Sequence, residues 1–261
     1  MFLIKIITTV SIVFFLSWVA EKIDTKFAGI ISGMPLGALL VFSFLGAELG
    51  PQFISESAVY AIPGIIGTLA FSILYYYASS PGWRFSPLFS ALFGITGYVL
   101  IAFALSMLSF NLLGGFILAI VGLTGASILL KHIVNHNIKK PIQLTIKQIM
   151  FRVIVSSCVV IIITEAGHFI GPRWSGLLVG FPITFLPFLI IIHTSYSSQY
   201  AHTLIKNLPN GLGSLLSFLV FISIFSTSIG VFLSILISFA LSLLYVATFS
   251  YLVKNNKATD P

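Results

Sequence analysis

The chain has 261 residues, of which 58% are hydrophobic and only 7% charged, with a mean hydropathy of +1.11 and a formal net charge of +7. A water-soluble domain carries roughly 25% charged residues, so this composition excludes a soluble globule and requires an integral membrane protein. The positive balance does not point to nucleic acid, because the bases are scattered over prospective loops instead of gathered on one face among stacking aromatics.

A spanning helix needs about 20 apolar residues, and nine such runs can be marked: 4–20, 27–47, 58–79, 87–108, 112–131, 148–168, 175–195, 211–229 and 231–252. The first resembles a signal peptide in its lone Lys5 and apolar core. Trp18-Val19-Ala20 lacks a small residue at the minus-three position, so an uncleaved helix is expected. The second run carries Gly33-Met34-Pro35 near its start. Proline removes a backbone donor and clashes with the carbonyl four residues back, and glycine leaves the peptide uncovered. A kinked or unwound helix is predicted there, either lining a ligand site or simply letting helices pack closely.

The run ends in Gly46-Ala47-Glu48-Leu49-Gly50, where Glu48 reads as a solvated charge or as a coordinating group. Glu56 falls in an expected short linker, where an amphipathic interfacial stretch would fit. Tyr75, Tyr76, Tyr77 and Trp83 read as aromatic-belt anchors at the end of span three. Asn111 reads as a turn residue, and span five, with Gly114, Gly115, Gly122 and Gly125, as a connector. The longest polar stretch, His132 to Lys147, has room only for a short loop or interfacial helix.

In span six Cys158 is the only cysteine, expected as a small buried hydrophobe, and it excludes a disulfide within the chain. Glu165 and His168 lie three apart, hence on one helical face, with Arg173 following. Packed together, acid, imidazole and guanidinium could bind a proton or an anionic group; the plainer reading is an interfacial cluster capping helix ends. Span seven carries Gly180-Phe181-Pro182 and Thr184. His193 reads as interfacial, and His132, His136 and His202 as loop-side. No second His or Cys stands at zinc spacing from His193.

The two broken runs are copies. Lys26 to Gly37 reads KFAGIISGMPLG and Arg173 to Thr184 reads RWSGLLVGFPIT, in register at an offset of 147 residues. The match continues through Leu39/Leu186 and Gln52/Gln199, then after a one-residue slip through Pro63/Pro209, Gly67/Gly213 and Leu69/Leu215. Five spans separate equivalent elements, and an odd number inverts the second copy. The expected fold is therefore all-α, nine transmembrane helices in a 4+1+4 inverted repeat with Gly/Pro-broken helices 2 and 7. Its units are 1–110 (first repeat), 111–147 (connector helix and cytoplasmic loop), 148–254 (second repeat) and a tail, 255–261. Paired Gly/Pro-interrupted segments in corresponding places are the best sequence pointer to a transporter's central site.

Ala28-Gly29-Ile30, Met34-Pro35-Leu36 and Gly46-Ala47-Glu48-Leu49-Gly50 follow the order AGL, FPT and G-x-E-x-G of the GlpM-type bacterial membrane proteins, and Phe181-Pro182 with Thr184 keeps the FPT part in the second half. Each half, over about 45 residues, resembles one GlpM-like unit, which implies a fused inverted pair. The second half lacks G-x-E-x-G, and the resemblance names no substrate.

With the amino terminus outside, Lys22, Lys26, Arg84, Lys131, Lys139, Lys140, Lys147, Lys206, Lys254 and Lys257 fall on the cytoplasmic side, leaving chiefly Lys5 and Arg173 outside. The expected location is thus a bacterial inner membrane, multi-pass, N-out and C-in. The sequence has no GxxxxGK[ST], HExxH or GxSxG, so neither an enzyme nor a cofactor or metal is expected. The partners expected are the lipid bilayer and a small-molecule substrate, and a homodimer is compatible. The leading functional expectation is a small secondary transporter or facilitator for an anionic or zwitterionic solute, with Gly33, Met34, Pro35, Gly180, Phe181, Pro182 and Thr184 around the solute. Glu165, His168, Arg173 and Glu48 would serve proton coupling or ion pairing. The alternative is a non-transporting scaffold or assembly subunit of an envelope-polymer system.

Overall fold

The computed structural model describes residues 5–12, 14, 30–79, 86–136 and 144–256, with side chains as far as Leu252. Expectations that fall on Trp18 to Lys26, Trp83, Arg84, Lys139, Lys140 and Lys257 lie outside the described residues. Within them the chain is built of helices joined by turns, without strands. After the helical segment 5–12 come α1 (Leu36–Ala78), α2 (Ser86–Ser106), α3 (Leu112–Leu129), α4 (Ile146–Val179), α5 (Phe185–Ser195), α6 (Ser198–Ile229) and α7 (Val231–Asn256). Among the described residues six helical stretches are long and apolar enough to cross a membrane; α5, with 11 residues, is shorter than that. The protein is a helical membrane-spanning protein.

Helix starts follow local chemistry. Asn111 caps α3, its Oδ1 accepting from the Gly114 amide at 2.7 Å, which is how this turn residue ends one span and begins the next. Thr145 and Gln148 form a reciprocal capping box at the start of α4, so the polar stretch before it ends in a defined helix start.

Two helices reverse direction at a single residue. Gly50 in α1 (φ 86°, ψ 176°) and Gly171 in α4 (φ 71°, ψ 177°) adopt positive φ, a conformation costly for any side chain. Each is followed by a proline, Pro51 or Pro172, whose missing N–H is harmless at the first position of the next helical arm. A straight α1 would hold Gly37 and Thr68 roughly 45 Å apart, yet both border one cavity, so its arms lie back to back. In the same way Gln148 donates to Ser195 Oγ at 2.5 Å and Ser156 to the Ile183 carbonyl at 3.2 Å, which folds the chain after Gly171 against α4's first arm.

This corrects several expectations. The stretch around Glu56 is helix and not linker, with Gln52 donating to Glu56 at 2.7 Å, because Gly50 alone makes the turn. Expected span seven is two pieces, the second arm of α4 and α5. Cys158 is exposed on the outer face of α4 and so is not a buried core residue. Tyr75 is fully buried, and only Tyr77 of the three tyrosines is exposed as a belt residue would be.

The core lies along α1, which packs against α2, α4 and α6. The peripheral helices α3 and α7 turn Leu113, Ile117, Val121, Ile128, Leu236 and Leu244 outward. Such an apolar exterior suits a lipid surround and would be a liability in water.

Candidate functional site

Both GxP sequences are non-helical. Helix at 30–32 gives way to turns at Gly33–Pro35 before α1 starts, and α4 ends at Val179 with turns through Thr184 before α5. The two breaks share three hydrogen bonds. In the first, Met34 N–H donates to Ile31 O (3.0 Å), Leu36 N–H to Met34 O (2.8 Å) and Leu39 N–H to Pro35 O (2.7 Å). In the second, Phe181 N–H donates to Leu178 O (3.0 Å), Ile183 N–H to Phe181 O (2.7 Å) and Leu186 N–H to Pro182 O (2.9 Å). Every pair is related by the offset of 147 residues read in the sequence.

The breaks meet each other. Gly33, Met34 and Pro35 border one cavity with Gly180, Phe181, Pro182 and Thr184, so all seven predicted solute-site residues share a wall. The cavity measures about 30 Å³, small but above the roughly 10–15 Å³ that a water needs. Close approach is enforced by glycine on both sides. A Cβ on Gly33 would come within 2.7 Å of the Gly211 backbone, and a Cβ on Gly180 within 2.9 Å of the Gly64 backbone. Gly64 and Gly211 are again 147 residues apart, so the slip read at Pro63/Pro209 does not apply to the glycines that make the contact. Neither glycine belonged to the predicted site; their shared offset from each other was the signal available for finding them.

Carbonyls released by the second break are taken by hydroxyls. Leu177 O accepts from Tyr98 OH, Gly180 O from Thr68 Oγ1 and Ile183 O from Ser156 Oγ. This is how irregular backbone is tolerated at membrane depth. Phe181 stands edge-on to the Tyr98 ring at 5.0 Å.

A second cluster lies beside the two glycine reversals. Lys5 Nζ donates to Glu48 Oε2 at 3.0 Å and to Glu165 Oε1 at 2.8 Å, and His168 Nε2 lies 3.2 Å from Glu48 Oε2. Lys5 is 1% exposed, Glu48 12% and Glu165 54%, so Lys5 and Glu48 form the buried part of the group. Because Glu48 ends the first broken segment and His168 precedes the reversal that starts the second, the two segments run in opposite directions.

Arg173 is not part of this cluster. It donates to the Ser106 carbonyl at 3.1 Å and to Tyr60 OH at 3.2 Å, with its guanidinium carbon 5.2 Å above the Tyr60 ring. The helical spacing that joins Glu165 to His168 ends at Gly171, so Arg173 leaves on another arm. A buried cation that the sequence reading passed over is Arg152, 4% exposed, its guanidinium 4.8 Å above the Phe188 ring. It stands 147 residues after Lys5.

At the opposite end lies a layer of tyrosine and histidine. Tyr75 OH pairs with His193 Nδ1 at 2.9 Å, Tyr76 OH with His132 Nε2 at 3.2 Å, and Ser79 Oγ with His202 Nε2 at 2.5 Å. His193 is thus a buried, partnered residue and not an interfacial one, while His136 stands beside the Tyr200 ring. Among the described residues no three His, Cys, Asp or Glu side chains gather as a metal site. A larger groove of about 690 Å³ opens between α3, α6 and α7, but its wall is mostly apolar and it holds none of the predicted site residues.

Comparison with family models, with curated proteins and with solved structures returns no match.

Proposed function

We propose that the chain is a small secondary transporter or facilitator for a small polar solute, anionic or zwitterionic, which passes between the two broken helices. One observation carries the reading: breaks 147 residues apart, alike in hydrogen bonding, meet at one cavity through the exchanged contacts Gly33 on Gly211 and Gly180 on Gly64. Reciprocal contacts of this kind support a 4+1+4 inverted repeat of nine spans, and the opposed directions of the broken segments favour inversion over parallel duplication. Alternating access by rocking one repeat against the other is the motion such a design serves.

In this reading the protein sits in a bacterial inner membrane with its amino terminus outside, which puts Lys5, Glu48, Glu165 and His168 at the outer end. A carboxylate pair sharing one ammonium and one imidazole is suited to exchange a proton as the outer end opens. The test is transport in proteoliposomes under an imposed pH gradient: Glu165→Gln should uncouple flux from the gradient, and unchanged coupling would remove the assignment.

The scaffold reading keeps one specific observation, the small volume of the cavity. Single cysteines at Met34 and Phe181, in a Cys158→Ser background, separate the two. Labelling from water supports a transporter; protection of both under all gradients and solutes supports a scaffold.

A further inference from the structure

The donors and acceptors around the cavity are out of balance. At the second break three freed carbonyls are occupied by Tyr98, Thr68 and Ser156. Amides around the cavity are not. In the first turn of α1 the Leu36 and Leu39 N–H groups find carbonyls of the break, which leaves those of Gly37 and Ala38 without an acceptor among the described residues. Around the start of α5 the Ile183 and Leu186 N–H groups are likewise satisfied, and those of Thr184 and Phe185 are left over. Neither helix has a side-chain cap. The leftover amides are again related by 147 residues, Gly37 with Thr184 and Ala38 with Phe185, and all four residues are buried and border the cavity.

The Thr184 side chain is an independent observation. The residue is 5% exposed and borders the cavity, and its hydroxyl has no hydrogen-bond partner among the described residues. Buried N–H groups without partners are rare in native structures. Here four of them and a hydroxyl belong to residues that border one space, beside the amino-terminal ends of two helices, which favour negative charge.

We propose that this cavity binds one compact, singly charged anion of halide size, held by the amides of Gly37, Ala38, Thr184 and Phe185 and by the Thr184 hydroxyl. The proposal deepens the transport reading by naming its solute class. Size favours a small ion, since the cavity's volume of about 30 Å³ is only a few times the roughly 10–15 Å³ that one water needs. Charge sets a bound: no ionisable side chain borders the cavity, so a dianion would lack counter-charge. A zwitterion is disfavoured because no carboxylate borders the cavity to receive its ammonium group.

The test uses the purified full-length protein in chloride-free gluconate buffer. Thermal unfolding is followed while fluoride, chloride, bromide and glycine are titrated at constant ionic strength, and flux of the same solutes is measured in proteoliposomes. The expected result is saturable stabilisation by one halide, not by glycine, with about tenfold weaker affinity in Thr184→Val and near-normal affinity in Thr184→Ser. Thr184→Val keeps the volume and removes only a hydroxyl that has no partner, so it should fold. Halides no better than gluconate, an equal halide effect in Thr184→Val, or stabilisation by glycine alone would overturn the proposal. The flux arm separates the two readings. Halide binding without any flux keeps the site and removes transport, whereas flux of a larger solute without halide binding keeps transport and removes the site.

Discussion

Gly33 rests directly on the backbone of Gly211, so closely that a Cβ on Gly33 would stand 2.6 Å from the Gly211 carbonyl carbon. The obstacle is main chain, which cannot swing aside as a side chain would. Gly33→Ala and Gly180→Ala should therefore each lower stability by about 1–3 kcal/mol. Gly125→Ala, where nothing lies within 4 Å, should be neutral or stabilising by up to about 1 kcal/mol. Thermal unfolding in mild detergent checks the contrast, and equal effects at the three positions would contradict the packing described.

Burial ranks the carboxylates around Lys5. Glu48 is mostly buried and holds both Lys5 and His168, whereas Glu165 is half exposed. Glu48→Gln should cost about 2 kcal/mol, as loss of a hydrogen bond to a charged group does. Glu165→Gln should cost under about 1 kcal/mol, since solvent screens an exposed pair. The same unfolding assay reads the order, and a larger loss for Glu165→Gln would show that the two roles are exchanged.

The hydroxyls that close the second break have a measurable task. Thr68→Val and Tyr98→Phe keep shape but leave the Gly180 and Leu177 carbonyls without a donor, at about 1–3 kcal/mol each. Hydrogen exchange at the amides of residues 177–184 should speed up in both variants. Unchanged exchange would mean that the break is held by packing alone.

Tyr75→Phe tests the opposite end. The buried His193 imidazole would lose its partner, costing about 1–2 kcal/mol. Tyr76→Phe removes a bond to the exposed His132 and should cost less than half as much. The two Tm shifts give the comparison.

What could be read from the sequence followed from residues whose effect is local. Gly33 with Pro35 and Gly180 with Pro182 break a helix wherever they stand, and the three-residue spacing of Glu165 and His168 puts them together on any helix. The direction a side chain faces was not legible. Helices apolar all round carry no polar stripe to mark inside from outside, which is why Cys158 proved to face outward, Tyr75 and His193 inward, and Arg152 passed without notice. Long-range meetings were equally hidden: Lys5 reaches Glu165 across 160 residues, and Arg173 departs from His168 because a glycine reversal stands between them. Only the duplication carried information about such distances, through the pairing of Gly64 with Gly211.

The reversals at Gly50 and Gly171 have a mechanical consequence. A corner one residue long leaves no loop between the arms, so each helix returns along itself as soon as it turns. The remaining discontinuities on these arms, Gly33–Pro35 and Gly180–Thr184, are also walls of the cavity. Any rearrangement of either break therefore reshapes the interior void.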